Sequence, residues 1–350
     1  MQGESISPDN EVAVENEGVL KATVKLPVRL RKSLVLVSPA MFESNNGNWH
    51  TAHRWAQFLS GHCDIALLPQ WLAPTAQAEP QCLVALHARR SAPSIHAWAA
   101  AYPDKPLVVV LTGTDLYRDI QTDAVAQQSL ALATHLVVLQ DAGLATLPER
   151  WRSKTRVIYQ SAPALRPAVK SALTFKAVMV GHLRDEKDPL TFMRAAGRAL
   201  VPHLRFDQIG QALAPHFQAA AQARAAQTPS YRWLGGLARA ATRQHIKRAH
   251  VLVNCSVMEG GAHVILEAVQ SGTPVLASRI DGNVGMLGTD YAGYFAVGDD
   301  AQLAAQLARC AAEPAFLAHL QRQCAQRAAL FDPQLEKRLV LNLLTSASNS

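Results

Sequence analysis

The chain has 350 residues, 49% of them apolar, enough to bury the cores of about two ordinary domains and to exclude global disorder. Its 34 Lys+Arg against 27 Asp+Glu give a formal charge of +7, but no dense basic tract with interleaved aromatics appears, so the charge reads as suited to an anionic small molecule, or simply as a basic proteome background, and nucleic acid is not the expected partner. No apolar run approaches the ~18 residues of a membrane helix, and the five cysteines (Cys63, Cys82, Cys255, Cys310, Cys324) lack C-x-x-C spacing, so they read as thiols of a reducing, cytoplasmic compartment rather than a disulfide or zinc set.

Residues 1–31 read as a flexible head. Its first part holds Glu4, Asp9, Glu11, Glu15 and Glu17 without a Lys or Arg before Lys21, which is not the pattern of a secretory signal. Lys21, Lys25, Arg29 and Arg31 follow, and neither part has an apolar period. The apolar run at 33–40 predicts a buried strand, and 48–59 has helical spacing, with Trp49, Ala52, Trp55, Ala56 and Leu59 on one face. Strands are expected at 64–68 and 82–87, a helix at 94–102, and strands at 105–115, 135–140 and 155–160. These strands are apolar on both faces, as in a parallel sheet covered by helices.

The proline-containing stretch 161–174 reads as a linker. The alternation then restarts: strands at 175–181, 204–210, 231–235, 250–256 and 273–278, with helices at 189–200, 211–226 and 239–249. From Asp300 onward the chain is helical, with Pro314 and Pro333 as breaks. The expectation is an α/β chain of two doubly wound, Rossmann-like domains, residues 32–165 and 166–330, followed by a C-terminal helix and tail, 331–350. Ligands of open α/β sheets bind at the carboxyl ends of the strands, so two such domains place a ligand in the cleft between them.

Two loops of the second domain suggest chemistry. In "VGHLRDEKDPLTF", Asp188 is a natural N-cap and Pro189 a natural first helical residue, so Arg184 and Lys187 precede a helix N-terminus that favours an anion. The same loop also reads as a solvated charged turn in which Glu186 neutralises Lys187. In "MEGGAHVILEA", Glu259 and Glu267 lie eight positions apart around Gly260 and Gly261, with a helix expected from about Gly261. At ~1.5 Å per residue they are at most ~12 Å apart along the axis, close to the reach of a sugar nucleotide from hexose to ribose. The plainer alternative is a capping carboxylate at Glu259 and a surface helical glutamate at Glu267.

In the first domain, "LHARRS" sets His87, Arg89 and Arg90 directly after a strand, and "TGTDLYRD" sets Thr112, Thr114, Asp115 and Arg118 after the next. Asn46, Gly47 and Asn48 precede a helix start and form a possible anion nest. These residues suit an anionic acceptor. The alternative is a satisfied half-buried histidine and two arginines paired with surface carboxylates.

"EGGAHVILEA" with "GTPVLAS" resembles the nucleotide-sugar glycosyltransferases of the two-Rossmann, GT-B fold, in the branch with an E-x₇-E motif, over roughly residues 33–330. The resemblance implies that Glu259 faces the hexose hydroxyls, Glu267 the ribose, and Gly260 and Gly261 the diphosphate, with Lys187 offsetting its charge. It also implies a donor set that takes in His182, Arg184, Gly282 and Asn283. Where the family has arginine after the strand glycine, this chain has His182, with Arg184 as substitute, and its 279–288 loop keeps the glycines but lacks the usual glutamate.

"NNGNWHTAHRW", "ALHARRSAPSI", "LTGTDLYRDI" and "VGHLRDEKDP", taken with the E-x₇-E segment, are similar to the selenosugar synthases of selenoneine biosynthesis. That resemblance implies transfer of a hexosamine, or glucose, from UDP-GlcNAc or UDP-glucose to selenophosphate. Glu259, Lys187 and Asp115 are then expected in catalysis, and Asn46, Gly47, Asn48, His87, Arg89, Arg90, Thr112 and Thr114 on the acceptor. No D-x-D pair sits at a strand end, so neither a metal nor a cofactor is expected. The competing expectations are a glycosyltransferase with a hydroxyl acceptor on a glycan or lipid, and a non-catalytic UDP-sugar-binding protein. A dinucleotide oxidoreductase is disfavoured because no G-x-G-x-x-G follows the first strand.

Overall fold

The computed structural model describes residues 33–39, 47–74, 79–199 and 201–347, so the expected head at 1–31 lies outside the described residues. The first half begins with β1 (Ser33–Val37), α1 (Gly47–Leu59), β2 (Asp64–Leu68), β3 (Cys82–Leu86), α2 (Ala92–Ala101) and β4 (Leu107–Val110). A π-helical turn (Asp115–Asp119) and the short α3 (Ile120–Thr122) and α4 (Ala124–Leu132) lead to β5 (His135–Val138), α5 (Asp141–Thr146), α6 (Glu149–Arg152) and β6 (Thr155–Val157). All six strands are parallel, in the order β2-β1-β3-β4-β5-β6.

The near-continuous apolar runs serve two layers. Along β1, Leu34 and Leu36 pack on the face that also holds Trp55 and Leu59, whereas Val35 and Val37 pack on the face that holds Ile95 and Trp98. In β4 the alternation repeats, Val108 and Val110 to one layer and Leu107 and Val109 to the other. Period-two side chains thus fill both faces of one buried sheet.

The second half runs β7 (Phe175–Val180), α7 (Pro189–Arg198), β8 (Leu204–Ile209), α8 (Pro215–Gln227), β9 (Tyr231–Trp233), α9 (Arg239–Arg248), β10 (Val251–Asn254), α10 (His263–Val269), β11 (Val275–Ser278), α11 (Asp281–Leu287) and β12 (Tyr294–Phe295). Its parallel order, β12-β11-β10-β7-β8-β9, is the doubly wound order of dinucleotide-binding domains. Helices α12 (Asp300–Ala312), α13 (Pro314–Arg327) and α14 (Pro333–Ala347) end the chain, with Pro314 and Pro333 each opening a helix, where a missing N–H is harmless. Helix α14 returns to the first half, where Val340 and Leu343 complete the layer that contains Trp55.

Two local expectations change. Residues 279–288, read as a loop, contain α11, because Asp281 and the small glycines still permit a turn whose apolar Met286 and Leu287 are buried. Helix α10 starts at His263 rather than near Gly261, leaving both glycines in the preceding loop. No helix among the described residues is long and apolar enough to cross a membrane.

Candidate active site

The strand order of each half reverses direction once, between β1 and β3 and between β7 and β10. Loops at such switch points splay apart and leave a crevice. Here both crevices open into one cavity of about 270 Å³. The second half lines it with Gly181, His182, Arg184 and Lys187 after β7, with Met258 to Gly261 after β10, and with His263 and Glu267 on α10. The first half contributes Gly47, Asn48 and His50 of α1, His87 and Arg90 after β3, and Thr112 to Thr114 after β4.

Local backbone chemistry sets the second wall. Asp188 adopts a left-handed conformation (φ 41°) and caps α7 by accepting from Thr191 N–H at 3.2 Å. The preceding turn thereby sends Lys187 across to Glu259, with which it forms an ion pair. Ser256 Oγ donates to the same Glu259 oxygen at 2.6 Å. Burial alone would push the Glu259 carboxyl up, but Lys187, Ser256 and Arg184 outweigh it and hold it below the usual carboxylate range. At Glu267 burial acts in the same direction and is again overcome, by His263, Arg239 and Arg243, leaving it at about 2. Both glutamates are therefore anions throughout the physiological range.

The first wall is built from strained and buttressed loops. His87 has φ 73°, a conformation unfavourable for a residue with a β-carbon, and is 2% exposed. The Arg90 backbone N–H donates to His87 Nδ1 at 3.2 Å, so in the neutral ring Nε2 carries the proton and donates to Thr114 Oγ1 at 3.0 Å. Burial, together with Arg90, lowers the His87 pKa despite Asp115 and Asp119 nearby, which keeps it in that neutral form. The Thr114 hydroxyl proton is then free to point at a ligand.

The cavity contains most of the expected residues: Glu259, Lys187, His182, Arg184, Gly260, Gly261 and Glu267 on one side, Gly47, Asn48, His87, Arg90, Thr112 and Thr114 on the other. Asn46 lies outside the described residues. Asp115, expected in catalysis, does not line the cavity. It is fully buried and accepts the N–H groups of Ala88, Thr112 and Gly113, each at 2.9 Å, tying the loops after β3 and β4 together. Arg89 turns instead to Asp123, at 2.6 Å, on the exposed start of α4. Gly282 and Asn283 sit behind the Glu259 loop: a β-carbon at Gly282 would fall 1.9 Å from the Glu259 carbonyl oxygen, and Asn283 Nδ2 donates to the Ser278 carbonyl at 2.9 Å.

Gly260 is required to be glycine by the close approach of the two halves, because a β-carbon there would lie 2.3 Å from the Thr112 carbonyl oxygen of the first half. Sequence reasoning missed His50, His263 and Arg239, which also line the cavity. His263 follows the glycine pair at i−4 from Glu267, a helical spacing that marks it as a neighbour; His50 and Arg239 carry no such sign. Burial and the nearby Arg239, His263 and Arg54 lower His50 to about 4, so it is neutral at physiological pH. Among the described residues no group of three or more His, Cys, Asp or Glu is arranged to hold a metal ion.

Two parallel doubly wound halves facing one cleft define the GT-B architecture. Residues 174–313, which contain the whole second sheet, match the model of the family glycosyl transferases group 1. The fold is shared with HepE of Anabaena in complex with UDP-glucose (TM-score 0.68, 15% identity, covering 90% of this chain and 99% of that one). It is shared as well with the sucrose-phosphate synthase of Thermosynechococcus elongatus (0.72, 16%, 90% and 99%). A glycosyltransferase of Rickettsia africae is similar to the same degree (0.69, 12%, 91% and 98%).

Proposed function

We propose that the protein is a glycosyltransferase that moves a hexosamine, GlcNAc, or glucose from a UDP-sugar to selenophosphate. The observation that carries the reading is the meeting, in one cavity, of both E-x₇-E carboxylates with Lys187 and Arg184 from the second half and Arg90, Thr114 and Asn48 from the first. The UDP and UDP-glucose named for the HepE structures support a uridine nucleotide as donor. In this reading Glu267 holds the ribose, Glu259 the hexose hydroxyls, and Lys187 and Arg184 the diphosphate. Selenium attacks the anomeric carbon as that carbon's bond to the UDP oxygen breaks, and the electron pair leaves with UDP. Lys187 stabilises the charge that grows on the leaving diphosphate, without a metal or other cofactor.

A hydroxyl acceptor would need a general base on the acceptor wall. Among the described residues no carboxylate of the first half lines the cavity, His50, at about 4, is a weak base, and His87 has its Nδ1 lone pair taken by the Arg90 N–H and its Nε2 proton given to Thr114. A chalcogen phosphate is already an anion and needs only donors and cations, which Arg90 and the Thr114 hydroxyl supply. Mass spectrometry of the purified protein with selenophosphate and a panel of nucleotide sugars tests the reading. A product carrying the mass of a selenium-linked hexose or hexosamine is expected; faster glycosylation of a neutral hydroxyl acceptor would overturn it.

A further inference from the structure

A buried polar chain runs from α14 through α1 to the donor-side glutamate. Glu336 of α14 is 1% exposed and binds Arg54 of α1 through both oxygens, Nε at 2.7 Å and Nη2 at 2.9 Å. Trp55 Nε1 and Ser161 Oγ donate to the same carboxylate, at 2.8 and 2.5 Å, so the Arg54 fork is fixed in place. Its remaining terminal nitrogen, Nη1, lies 3.1 Å from Nε2 of His263. A guanidinium only donates. Nε2 of His263 is therefore the acceptor, and the ring proton sits on Nδ1. That atom lies 3.4 Å from Glu267 Oε1, one helical turn along α10.

Arg239 Nε, at 3.3 Å, and Arg243 Nε, at 3.8 Å, reach the same oxygen, Oε1. Among the described residues, the nearest approaches of His263, Arg239 and Arg243 to Glu267 all fall on this one oxygen, Oε1.

We propose that His263 is a positioning residue. Locked in one tautomer by Arg54, it holds Glu267 Oε1 so that Oε2 meets the ribose hydroxyls of the UDP-sugar. This rests on the reading of Glu267 as the ribose ligand. Its consequence is that the nucleotide grip of the second half depends on a side chain fixed in the first. Replacing the ring by Leu removes both polar contacts, Asn keeps a carboxamide too short to span the gap, and Gln keeps one acceptor and one donor at suitable reach.

The test is calorimetric titration of UDP and of 2′,3′-dideoxy-UDP into the full chain. A hydrogen bond to a charged group changes affinity by roughly 10–150-fold. Wild type is expected to prefer UDP by at least about tenfold on that scale. His263→Leu and His263→Asn are expected to lower the preference to within about threefold by weakening UDP alone, and His263→Gln to restore most of it. A general loss of stability would weaken both ligands alike and leave the ratio unchanged. A wild type that does not distinguish the two nucleotides overturns the ribose role of Glu267 and the inference with it. A wild-type preference that persists in the Leu and Asn variants overturns the role of His263 alone. Should the Leu variant not fold, the Asn and Gln pair carries the comparison.

Discussion

On the second half's wall of the cleft the carboxylates arrive already paired: Glu259 with Lys187 and Ser256, Glu267 with Arg239, Arg243 and His263. On the first half's wall the carboxylate nearest the loops, Asp115, spends its oxygens on backbone N–H groups and leaves the cavity to Arg90, neutral imidazoles and hydroxyls. On one wall each cavity carboxylate is matched by a cation of the same half. The other presents Arg90 with no carboxylate of the first half beside it in the cavity, among the described residues.

The strongest way to break this comparison is to titrate the second half's wall. Glu267 falls to about 2 in the folded chain, well below its unfolded value of 4.5. A depressed carboxylate stabilises the fold fully above the unfolded value and loses that contribution as pH falls towards the folded one. For a group this buried the linkage is worth at most about 3 kcal/mol. Urea unfolding of wild type and Glu267→Gln should differ by that order at pH 6, with the gap closing between about pH 4.5 and about 2. A gap that does not vary with pH would mean the pairing contributes nothing.

Next in size is turnover. Glu259→Gln is expected to lower kcat about 100-fold, since its charge-assisted contact must hold while the anomeric carbon flattens, and Glu267→Gln to act mainly on KM for the UDP-sugar. Steady-state kinetics with the UDP-sugar varied at saturating selenophosphate would show the split; equal, small effects at both positions would remove the donor site from this wall. Lys187→Ala should weaken UDP about 30-fold by calorimetry, and chelators should change neither binding nor rate. Activity lost to EDTA and restored by magnesium would show that Lys187 does not act without a metal.

The smallest effects belong to the first half's wall and sharpen the contrast. Arg90→Ala is expected to raise KM for selenophosphate about tenfold while leaving that for the UDP-sugar unchanged. Arg89→Ala, whose partner Asp123 lies off the cavity, should stay within about twofold, as exposed ion pairs do. Equal effects from the two arginines would place the acceptor elsewhere.

The two walls were also unequally legible in the sequence. The strands could be read from apolar runs because each side chain has a sheet face to fill, and the second wall could be read because strand, carboxylate, glycines and helix follow one another within a dozen residues. The first wall's residues are distant in the chain and converge only at the β1/β3 switch point, so their roles had to be inferred from position after a strand. The structure places His87, Arg90, Thr112 and Thr114 in the cavity. Position after a strand failed to separate Arg89 from Arg90, neighbours whose side chains diverge, and could not reveal that Asp115 folds back onto three backbone amides. The helix α11 escaped notice because its glycines resemble a loop until Met286 and Leu287 find the core. His50 and Arg239 come from helices of different halves, and no local pattern ties them to Glu267.

The return of α14 to the first half has a consequence for how the chain is made. During synthesis residues 33–157 emerge before α14, so the layer around Trp55 still lacks Val340 and Leu343, and the Arg54 guanidinium, destined for burial, lacks its Glu336 partner. A buried charge without its partner is strongly unfavourable. The first half therefore stays incompletely closed until the second half and α14 have been made.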